Sequence, residues 1–424
     1  MNVQDENRKS APSVLIIATL DTKGREAAYV CEVLTDCGTN ARLVDAGCLG
    51  PPGVTPDVSR EEFFGAAGHD PRALAAAADR GRAVSAAAEA AVAWVRREYA
   101  AGRVAGVLGL GGSAGTTIAT AAMRALPIGV PKVMASTLAS GQVRHYAGDK
   151  DILLLNTVVD LSGLNRITRP VLAEAARAMA GLVQFANVDS PTASPRSADR
   201  PLIAATMFGV TTPCVEEARR VLEAAGYEVL VFHATGNGGQ AMESLIDEGL
   251  IAGVLDITTT ELADELVGGV LSAGPARLTA AARRGVPQVV SLGATDMVNF
   301  HARETVPAKF VGRTFYQHNA NVTLMRTTVE ECAAIGGDVG HKLAQATGPV
   351  AVFAPMLGVS ALDRAGQPFD DPTARQATCE ALRSSAPNVE FTALDWHIND
   401  PEFARAAASR LIEMLAAKRA GFDR

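Results

Sequence analysis

The segment that decides the fold spans residues 104–117 and reads VAGVLGLGGSAGTT. It begins as an apolar run typical of a buried strand, ends in a glycine-rich turn, and leads into the Ala-rich residues 118–126, which predict a helix. A strand, a glycine turn and a helix in this order direct backbone N–H groups and the positive end of a helix dipole at an anion. Glycine suits the turn because a Cβ atom would block the approach of the backbone to a phosphate. We therefore predict a phosphate or nucleotide pocket here.

A second group of candidate residues follows the first predicted strand. Residues 13–20 form a continuous apolar run, the pattern of a strand buried on both faces, and lead into DTKGRE at 21–26. Polar groups in this position lie where α/β folds bind ligands. Together with the glycine turn, they give the predicted nucleotide contacts: Asp21, Thr22, Lys23, Gly111, Gly112, Ser113 and Thr116.

Both groups also have a structural interpretation. The glycine turn has neither the Lys-Ser/Thr ending of a P-loop nor a full dinucleotide-binding fingerprint, so it equally fits a tight turn in an ordinary α/β protein. Asp21 is as well suited to capping the helix after it as to binding a ligand. The sequence contains no clustered set of metal ligands, although a Mg²⁺ ion that accompanies ATP could be held by phosphate and a carboxylate such as Asp21.

Composition limits the classes of function. The chain has 424 residues, which suggests two domains, and 48% hydrophobic with 20% charged residues indicate a globular protein. A net charge of −7 gives no general attraction to nucleic acid or to an anionic membrane. The polar start does not resemble a signal peptide, and the apolar runs are too short for a membrane span. Six scattered cysteines without a CxxC pair fit reduced thiols in a cytoplasmic protein.

Strands alternating with helices predict two Rossmann-like α/β domains, each with a mostly parallel sheet flanked by helices. Residues 187–200, rich in Ser, Pro and Asp, are the predicted linker between an N-terminal nucleotide-binding domain at 1–186 and a C-terminal domain at 201–424. The strand–helix–strand pattern of residues 13–47 returns with nearly the same spacing at 202–233, which indicates a weak internal duplication.

The second half places more polar residues at predicted strand ends. Such loops converge at one edge of an open sheet. We expect residues 301–326, which mix hydrogen-bonding side chains with aromatic ones, to be partly buried, and a helix to run from about 322 to 345. The candidate acid/base residues of this half are His233, Glu261, Asp296, His301 and His318.

Six segments together carry a resemblance over essentially the full length. They are ATLDTKG at 18–24, GLGGS at 109–113, HATG at 233–236 with Gly238-Gly239, SAGP at 272–275, DMVNF at 296–300 and HNAN at 318–321. The chain resembles the family typified by the N-terminal ATP-binding half of the tomato mosaic virus resistance protein. The resemblance implies two α/β domains, ATP binding and self-association into a homodimer or higher homo-oligomer. It does not imply which residues contact ATP.

Two classes of function remain open. In the first, the protein is an enzyme that acts on a small phosphate- or carboxylate-bearing substrate at the cleft between the domains, with acid/base groups from the second half. In the second, it is a non-catalytic, nucleotide-responsive binding or regulatory protein. The sequence names no reaction, because it shows neither a Ser-His-Asp pattern nor metal-ligand spacing. Whether the chain is an enzyme is therefore left undecided.

Overall fold

A computed structural model describes residues 11–141, 143–186 and 200–422. The chain divides into two compact units, Met1–Ala193 and Ser194–Arg424. Each unit is an α/β domain with a parallel sheet, as the alternation of strands and helices predicts. Most of the predicted linker, residues 187–199, lies outside the described residues.

The N-terminal domain is built on five parallel strands in the order β2-β1-β3-β4-β5. The strands are β1 (Ser13–Ala18), β2 (Ala41–Asp45), β3 (Val104–Gly111), β4 (Lys132–Ser136) and β5 (Leu153–Asn156). The helices are α1 (Leu20–Asp36), α2 (Arg60–Gly65), α3 (Pro71–Ala77), α4 (Arg80–Ala100), α5 (Ser113–Arg124), α6 (Arg144–Ala147) and α7 (Thr168–Gln184). All six residues of β1 are buried, which fits a central strand covered on both faces.

This domain contains two apolar clusters, and the central strands contribute different side chains to each. One joins Leu15 and Val107 to Trp94 of α4 and Phe63 of α2. The other joins alternate residues of the same strands, such as Ile16, to helices α1 and α7. Alternation along the strands therefore sends apolar side chains to both faces of the sheet.

The C-terminal domain has six parallel strands in the order β14-β13-β9-β8-β6-β7 and a separate three-stranded antiparallel sheet, β10-β12-β11. The strands are β6 (Leu202–Met207), β7 (Glu228–His233), β8 (Ile251–Thr258), β9 (Gln288–Gly293), β10 (Met297–Phe300), β11 (Phe315–Asn319), β12 (Val322–Arg326), β13 (Val350–Pro355) and β14 (Glu390–Leu394). The helices are α8 (Thr212–Ala224), α9 (Asn237–Asp247), α10 (Thr260–Val267), α11 (Ala280–Arg284), α12 (Val329–Leu343), α13 (Pro372–Ser385) and α14 (Pro401–Phe422).

The two parallel sheets repeat one topology. In each, the first strand lies between the second and the third, and the next strands follow on the side of the third. The predicted duplication therefore extends to strand order. In such sheets the chain leaves the first and third strands in opposite directions, so a crevice opens at their carboxyl ends, and ligands bind there. Among the described helices, none is both long enough and apolar enough to cross a lipid bilayer.

The structure corrects two predictions for the second half. Residues 322–326 form strand β12 rather than the start of a helix, and α12 begins at Val329, where Thr328 and Glu331 form a capping box. Residues 301–321 are mostly exposed rather than partly buried, and only Phe310 among them is buried. Exposed hydrogen-bonding groups are accessible to water, so their number does not by itself indicate a ligand or another domain there.

Candidate functional site

The crevice between the ends of β1 and β3 contains a cavity of about 180 Å³. Its polar lining comes from Thr19, Asp21 and Thr22 after β1 and from Arg80 at the start of α4. The rest of the lining is mostly small or apolar and includes Ala83, Val84 and Ala87 of α4 with Ala114 and Ile118 of α5. A largely apolar wall with a few polar groups is the common composition of small-molecule pockets.

The first turn of α5 presents unpaired donors to this region. The N-cap is Gly112, which has no side chain to cap the helix. Within the described residues, no oxygen accepts a hydrogen bond from the N–H groups of Ser113, Ala114 or Gly115. The helix dipole adds partial positive charge at the same place. This end of α5 can therefore accept an anion without first losing an internal contact.

The glycines of the turn serve different purposes. A Cβ at Gly109 would contact Ala119 and lie 2.6 Å from the Met134 Sδ atom, so this glycine lets α5 lie close to the sheet. Gly111 has a φ of 150°, which disfavours other residues. Gly112 has a φ of −85°, and a Cβ there would meet only the Thr137 hydroxyl at 3.6 Å. Neither backbone conformation nor packing requires glycine at 112.

Asp21 holds the loop after β2 in place. One of its carboxylate oxygens, Oδ2, accepts hydrogen bonds from the N–H groups of Leu49 (3.1 Å) and Gly50 (3.2 Å). Helix α1 begins at Leu20 with Thr19 as its N-cap, so Asp21 lies in the first turn and does not cap the helix. Its other oxygen, Oδ1, accepts no hydrogen bond within the described residues. That oxygen is free for a ligand or for a cation bound with one.

A larger groove of about 430 Å³ adjoins the cavity, and Cys48 lines both. The groove floor is fixed by Arg60, which donates to the Asp45 carboxylate (2.8 Å) and to the Gly50 carbonyl oxygen (2.7 Å). Burial, with Asp21 close by, raises the pKa of the Cys48 thiol, so this cysteine is a poor nucleophile. The guanidinium of Arg72 also lines the groove, and it has no partner among the described residues.

The corresponding crevice of the C-terminal domain is filled by its own side chains. Thr211, after β6, shares a hydrogen bond of 2.8 Å with the hydroxyl of Thr258 at the end of β8. Thr206 donates to the Asp256 carboxylate at 2.7 Å. All four residues are fully buried. Hydroxyl and carboxylate groups therefore satisfy one another where the N-terminal domain leaves space.

A buried arginine completes this filling. Arg277 donates to both oxygens of Asp256 (2.6 and 2.7 Å) and to the Glu261 carboxylate (2.7 Å), and a longer contact of 3.5 Å reaches Glu243. Burial by itself lowers the pKa of Arg277, but the carboxylates around it, Asp256 above all, together outweigh this effect, and the pKa is raised far above its usual range. Glu261 also accepts the N–H groups of Gly236 (2.6 Å) and Gly239 (3.0 Å), so it caps α9. Both carboxylate oxygens of Glu261 therefore already have partners within the domain.

Family models match both halves of the chain. The N-terminal domain of the Uncharacterised protein family (UPF0261) matches residues 12–188, and the C-terminal domain of the same family matches residues 200–415. The chain belongs to the UPF0261 family. A UPF0261 protein from Clostridium tetani is 46% identical over 404 residues, which cover 95% of this chain and 98% of the relative. A UPF0261 protein from Rhizobium meliloti is 47% identical, covering 93% and 97% of the two chains.

The tomato relative is confirmed as well. The ToMV resistance protein Tm-1(GCR237) of Solanum lycopersicum is 45% identical to this UPF0261 chain over 314 residues. The match covers 73% of this chain but 42% of the tomato protein. More than half of the tomato protein therefore lies outside the match.

The structure brings together part of the predicted nucleotide site of this UPF0261 member. Asp21 and Thr22 line the cavity, and Gly111, Gly112 and Ser113 form the turn directly before Ala114. Lys23 does not line it. Thr116 is also placed differently from the prediction. Its hydroxyl is buried, donates to the Gly112 carbonyl oxygen (2.8 Å) and meets the Ser136 hydroxyl at 2.7 Å. Thr116 therefore fixes the turn and has no free group for a phosphate.

The five predicted acid/base residues do not share a site. His233, His301 and His318 are exposed, at the end of β7, after β10 and on β11. Asp296 is buried after β9 and lines a small cavity that includes none of the other four residues. The geometry thus gives no common reaction centre within the C-terminal domain.

Sequence reasoning missed several residues that the structure makes important. Arg277 lies two residues after SAGP at 272–275, which is one of the segments that carry the resemblance. That segment is the sequence signal that could have pointed to it. His397 is buried; its Nδ1 atom accepts the Asn399 N–H, so its Nε2 donates to the Ser360 carbonyl oxygen at 2.8 Å. Burial lowers the pKa of His397. No sequence pattern marked this histidine.

Proposed function

We propose that the N-terminal domain binds a phosphate-bearing small molecule, with a nucleotide such as ATP as the best candidate, in the crevice between β1 and β3. The observation that carries the proposal is the uncapped first turn of α5, which opens beside a cavity at this crevice. Unpaired N–H groups, a helix dipole and a glycine with no structural reason at the N-cap all favour an anion. ATP is the ligand that the family resemblance implies.

The free oxygen of Asp21 suits a Mg²⁺ ion that arrives with the nucleotide. Mg²⁺ is commonly held by one or two carboxylates together with phosphate oxygens and water. Without a cation, the Asp21 carboxylate would repel a phosphate, so binding is expected to be stronger with Mg²⁺ than without it. Dependence on Mg²⁺ is therefore part of the proposal.

The size of the cavity indicates where the rest of the ligand lies. At about 180 Å³ it is smaller than a typical ligand pocket of roughly 300–1,000 Å³. The adjoining groove reaches that size, begins at the same Cys48 and is bordered by the unpaired Arg72. We place the phosphates at α5 and the remaining part of the nucleotide in the groove, where a guanidinium can stack on a base.

Thermal unfolding with added ligand tests the proposal. A ligand that binds only the folded state raises the unfolding midpoint, and the gain is about 2.7 kcal/mol at a hundred times Kd. ATP, ADP and inorganic pyrophosphate should each raise the midpoint of the wild-type chain in the presence of Mg²⁺, and the shift should be smaller without it. Absence of any shift would contradict the proposal.

Gly112→Asp is the decisive variant. Aspartate is a favoured N-cap residue and its Cβ fits at 112, so the unliganded fold should be as stable as the wild type or slightly more so. Its carboxylate would occupy the free N–H groups and repel phosphate, so the ligand-induced shift should disappear. Gly209→Asp is the matched control, because Gly209 is an exposed glycine after β6 where a Cβ would meet no atom within 4 Å. That variant should retain the full shift.

Two arginine variants test the position of the nucleotide's remaining part. Arg72→Ala should weaken ATP binding several-fold and leave pyrophosphate binding unchanged, because a stacked guanidinium contributes about 0.5–2 kcal/mol. Arg96→Ala removes an equally exposed charge from α4, away from the groove, and should change neither. Self-association stays a prediction, which sedimentation of the full chain checks.

A further inference from the structure

A small cavity in the C-terminal domain is bordered by three charged side chains from different elements. Asp296 follows β9, Arg326 ends β12, and Arg375 lies in the first turn of α13. The cavity measures about 10 Å³. Each of the three residues is at least nine-tenths buried, with 1%, 8% and 9% of its surface exposed, respectively.

Each of these side chains has one buried polar atom without a hydrogen bond among the described residues: Oδ1 of Asp296, Nη2 of Arg326 and Nε of Arg375. Other atoms of the same side chains are hydrogen-bonded. Oδ2 of Asp296 accepts from the Ser360 hydroxyl at 2.8 Å, and Nη1 of Arg375 donates to Asp363 at 2.6 Å. Leaving one buried polar atom unpaired costs about 1–3 kcal/mol. Three such atoms on residues that line one cavity indicate a ligand that contacts all three.

We propose that this cavity is a binding site for a single water molecule, which accepts hydrogen bonds from Arg326 and Arg375 and donates one to Asp296. Buried waters typically make about three hydrogen bonds, and a cavity of roughly 10–15 Å³ is enough to hold one. The water supplies one donor and two acceptors, which matches the one acceptor and two donors that lack a hydrogen bond; Nη2 of Arg326 has only an ion-pair contact of 3.7 Å with Asp363.

The charges around the cavity select water over an ion. A halide would face the carboxylate of Asp296 and the nearby Asp363, which lies 3.7 Å from Arg326. A metal cation would face two guanidinium groups. A neutral molecule that both donates and accepts avoids either repulsion. Burial, with Asp363 close by, raises the pKa of Asp296 to about 7.

The water would join three elements that are distant in sequence. Arg326 also donates to the Phe369 carbonyl oxygen (2.8 Å), and Arg375 holds Asp363 and Asp370 in the loop after β13. The bound water thus extends one network from the end of β9 to the start of α13. Its role is to satisfy and position these charged groups.

A crystal structure of the full chain at about 1.5 Å, with a parallel bromide soak measured at the bromine edge, tests the site directly. We expect one density peak within hydrogen-bond distance of the three atoms and no anomalous signal. An empty cavity overturns the proposal, and so does a bromide peak, which would indicate a halide site.

A cavity-filling pair tests it in solution. Val359 lines the cavity, whereas Val339 is an equally apolar, buried valine of the same core cluster that does not line it. If water is bound, Val359→Ile displaces it without replacing its hydrogen bonds, so the unfolding midpoint should fall further than for Val339→Ile. If the cavity is dry, the added methylene fills empty space and the midpoint of Val359→Ile rises, which contradicts the proposal.

Discussion

The two domains share a strand order but treat the same crevice in opposite ways. In the N-terminal domain the ends of β1 and β3 enclose a cavity, and the first turn of α5 has no cap. In the C-terminal domain the ends of β6 and β8 are closed by Thr211, Thr258 and Asp256, with Arg277 behind them. Topology creates the crevice in both, but only the side chains decide whether it stays available for a ligand.

This difference predicts that the crevice residues of the two domains serve different purposes. A filled crevice with satisfied charges is a structural device, and its residues are expected to control folding. An open crevice with unpaired donors contributes little to folding, and its residues are expected to control binding. The chain contains two tryptophans, Trp94 in the N-terminal domain and Trp396 in the C-terminal domain. In a Trp396→Phe background, the remaining Trp94 therefore reports unfolding of the N-terminal domain. In a Trp94→Phe background, Trp396 reports unfolding of the C-terminal domain.

The largest expected effect is the loss of Arg277. Arg277→Ala leaves the carboxylates of Asp256 and Glu261 buried without their counter-charge, and breaking such a network typically costs about 3–5 kcal/mol. Urea unfolding followed through Trp396 should show this loss, and Trp94 should report little change. Arg283→Ala, which removes an exposed pair with Asp247, should cost under about 1 kcal/mol. Equal effects of the two variants would show that the filled crevice is not structural.

A smaller effect is expected from close packing beneath the open crevice. Gly109→Ala introduces a Cβ against Ala119 and Met134, and overpacking of this kind costs about 1–3 kcal/mol. Unfolding followed through Trp94 is the measurement. Gly181→Ala on α7, where a Cβ meets nothing within 4 Å, should instead stabilise the domain by about 0.5–1 kcal/mol. A tolerated alanine at 109 would mean that α5 does not lie as close to β3 as these distances indicate.

Much of this comparison could be predicted from the sequence, because apolar runs and glycine turns are local signals. The run at 13–20 and the turn at 109–115 place the N-terminal crevice correctly. The filling of the C-terminal crevice depends on Arg277 meeting carboxylates at 243, 256 and 261, and no local pattern records that meeting. The exposure of His301 and His318 likewise depends on β10–β12 forming a separate sheet, which the predicted helix from 322 concealed.

The pH dependence of stability should also separate the domains. Burial raises the pKa of Asp264 to about 7, although Asn299 donates to its carboxylate. A raised pKa means that the folded state holds the proton more tightly than the unfolded chain does. Its stabilising contribution is full below about pH 4 and is lost as the pH rises through about 7, by at most about 1.4 kcal/mol per pH unit. The signal from Trp396 should therefore show stability falling between about pH 4 and about pH 7.

The N-terminal domain should show the opposite sign. A hydrogen bond from Arg103 lowers the pKa of Glu98 despite its burial, and Arg42 adds a second contact. This contribution is present above the usual pKa of a glutamate and is lost as the pH falls below it. The signal from Trp94 should therefore show stability declining towards acid pH. Asp264→Asn should reduce the slope of the profile reported by Trp396, where Asp296 still contributes, and leave the profile reported by Trp94 unchanged. A parallel change at Trp94 would argue against this assignment.

The smallest expected change in stability comes from partly closing the open crevice. Gly112→Ser places at the N-cap of α5 a hydroxyl that can accept from its free N–H groups, and serine is a slightly better N-cap than glycine, so the domain should gain a few tenths of a kcal/mol. The same hydroxyl competes with a phosphate, so the ATP-induced shift of the Trp94 transition should shrink. A stabilised domain with weaker ligand binding would show that glycine at 112 serves the ligand. Destabilisation by more than about 1 kcal/mol would show that folding itself needs the glycine, and the open crevice would then be a consequence of the turn.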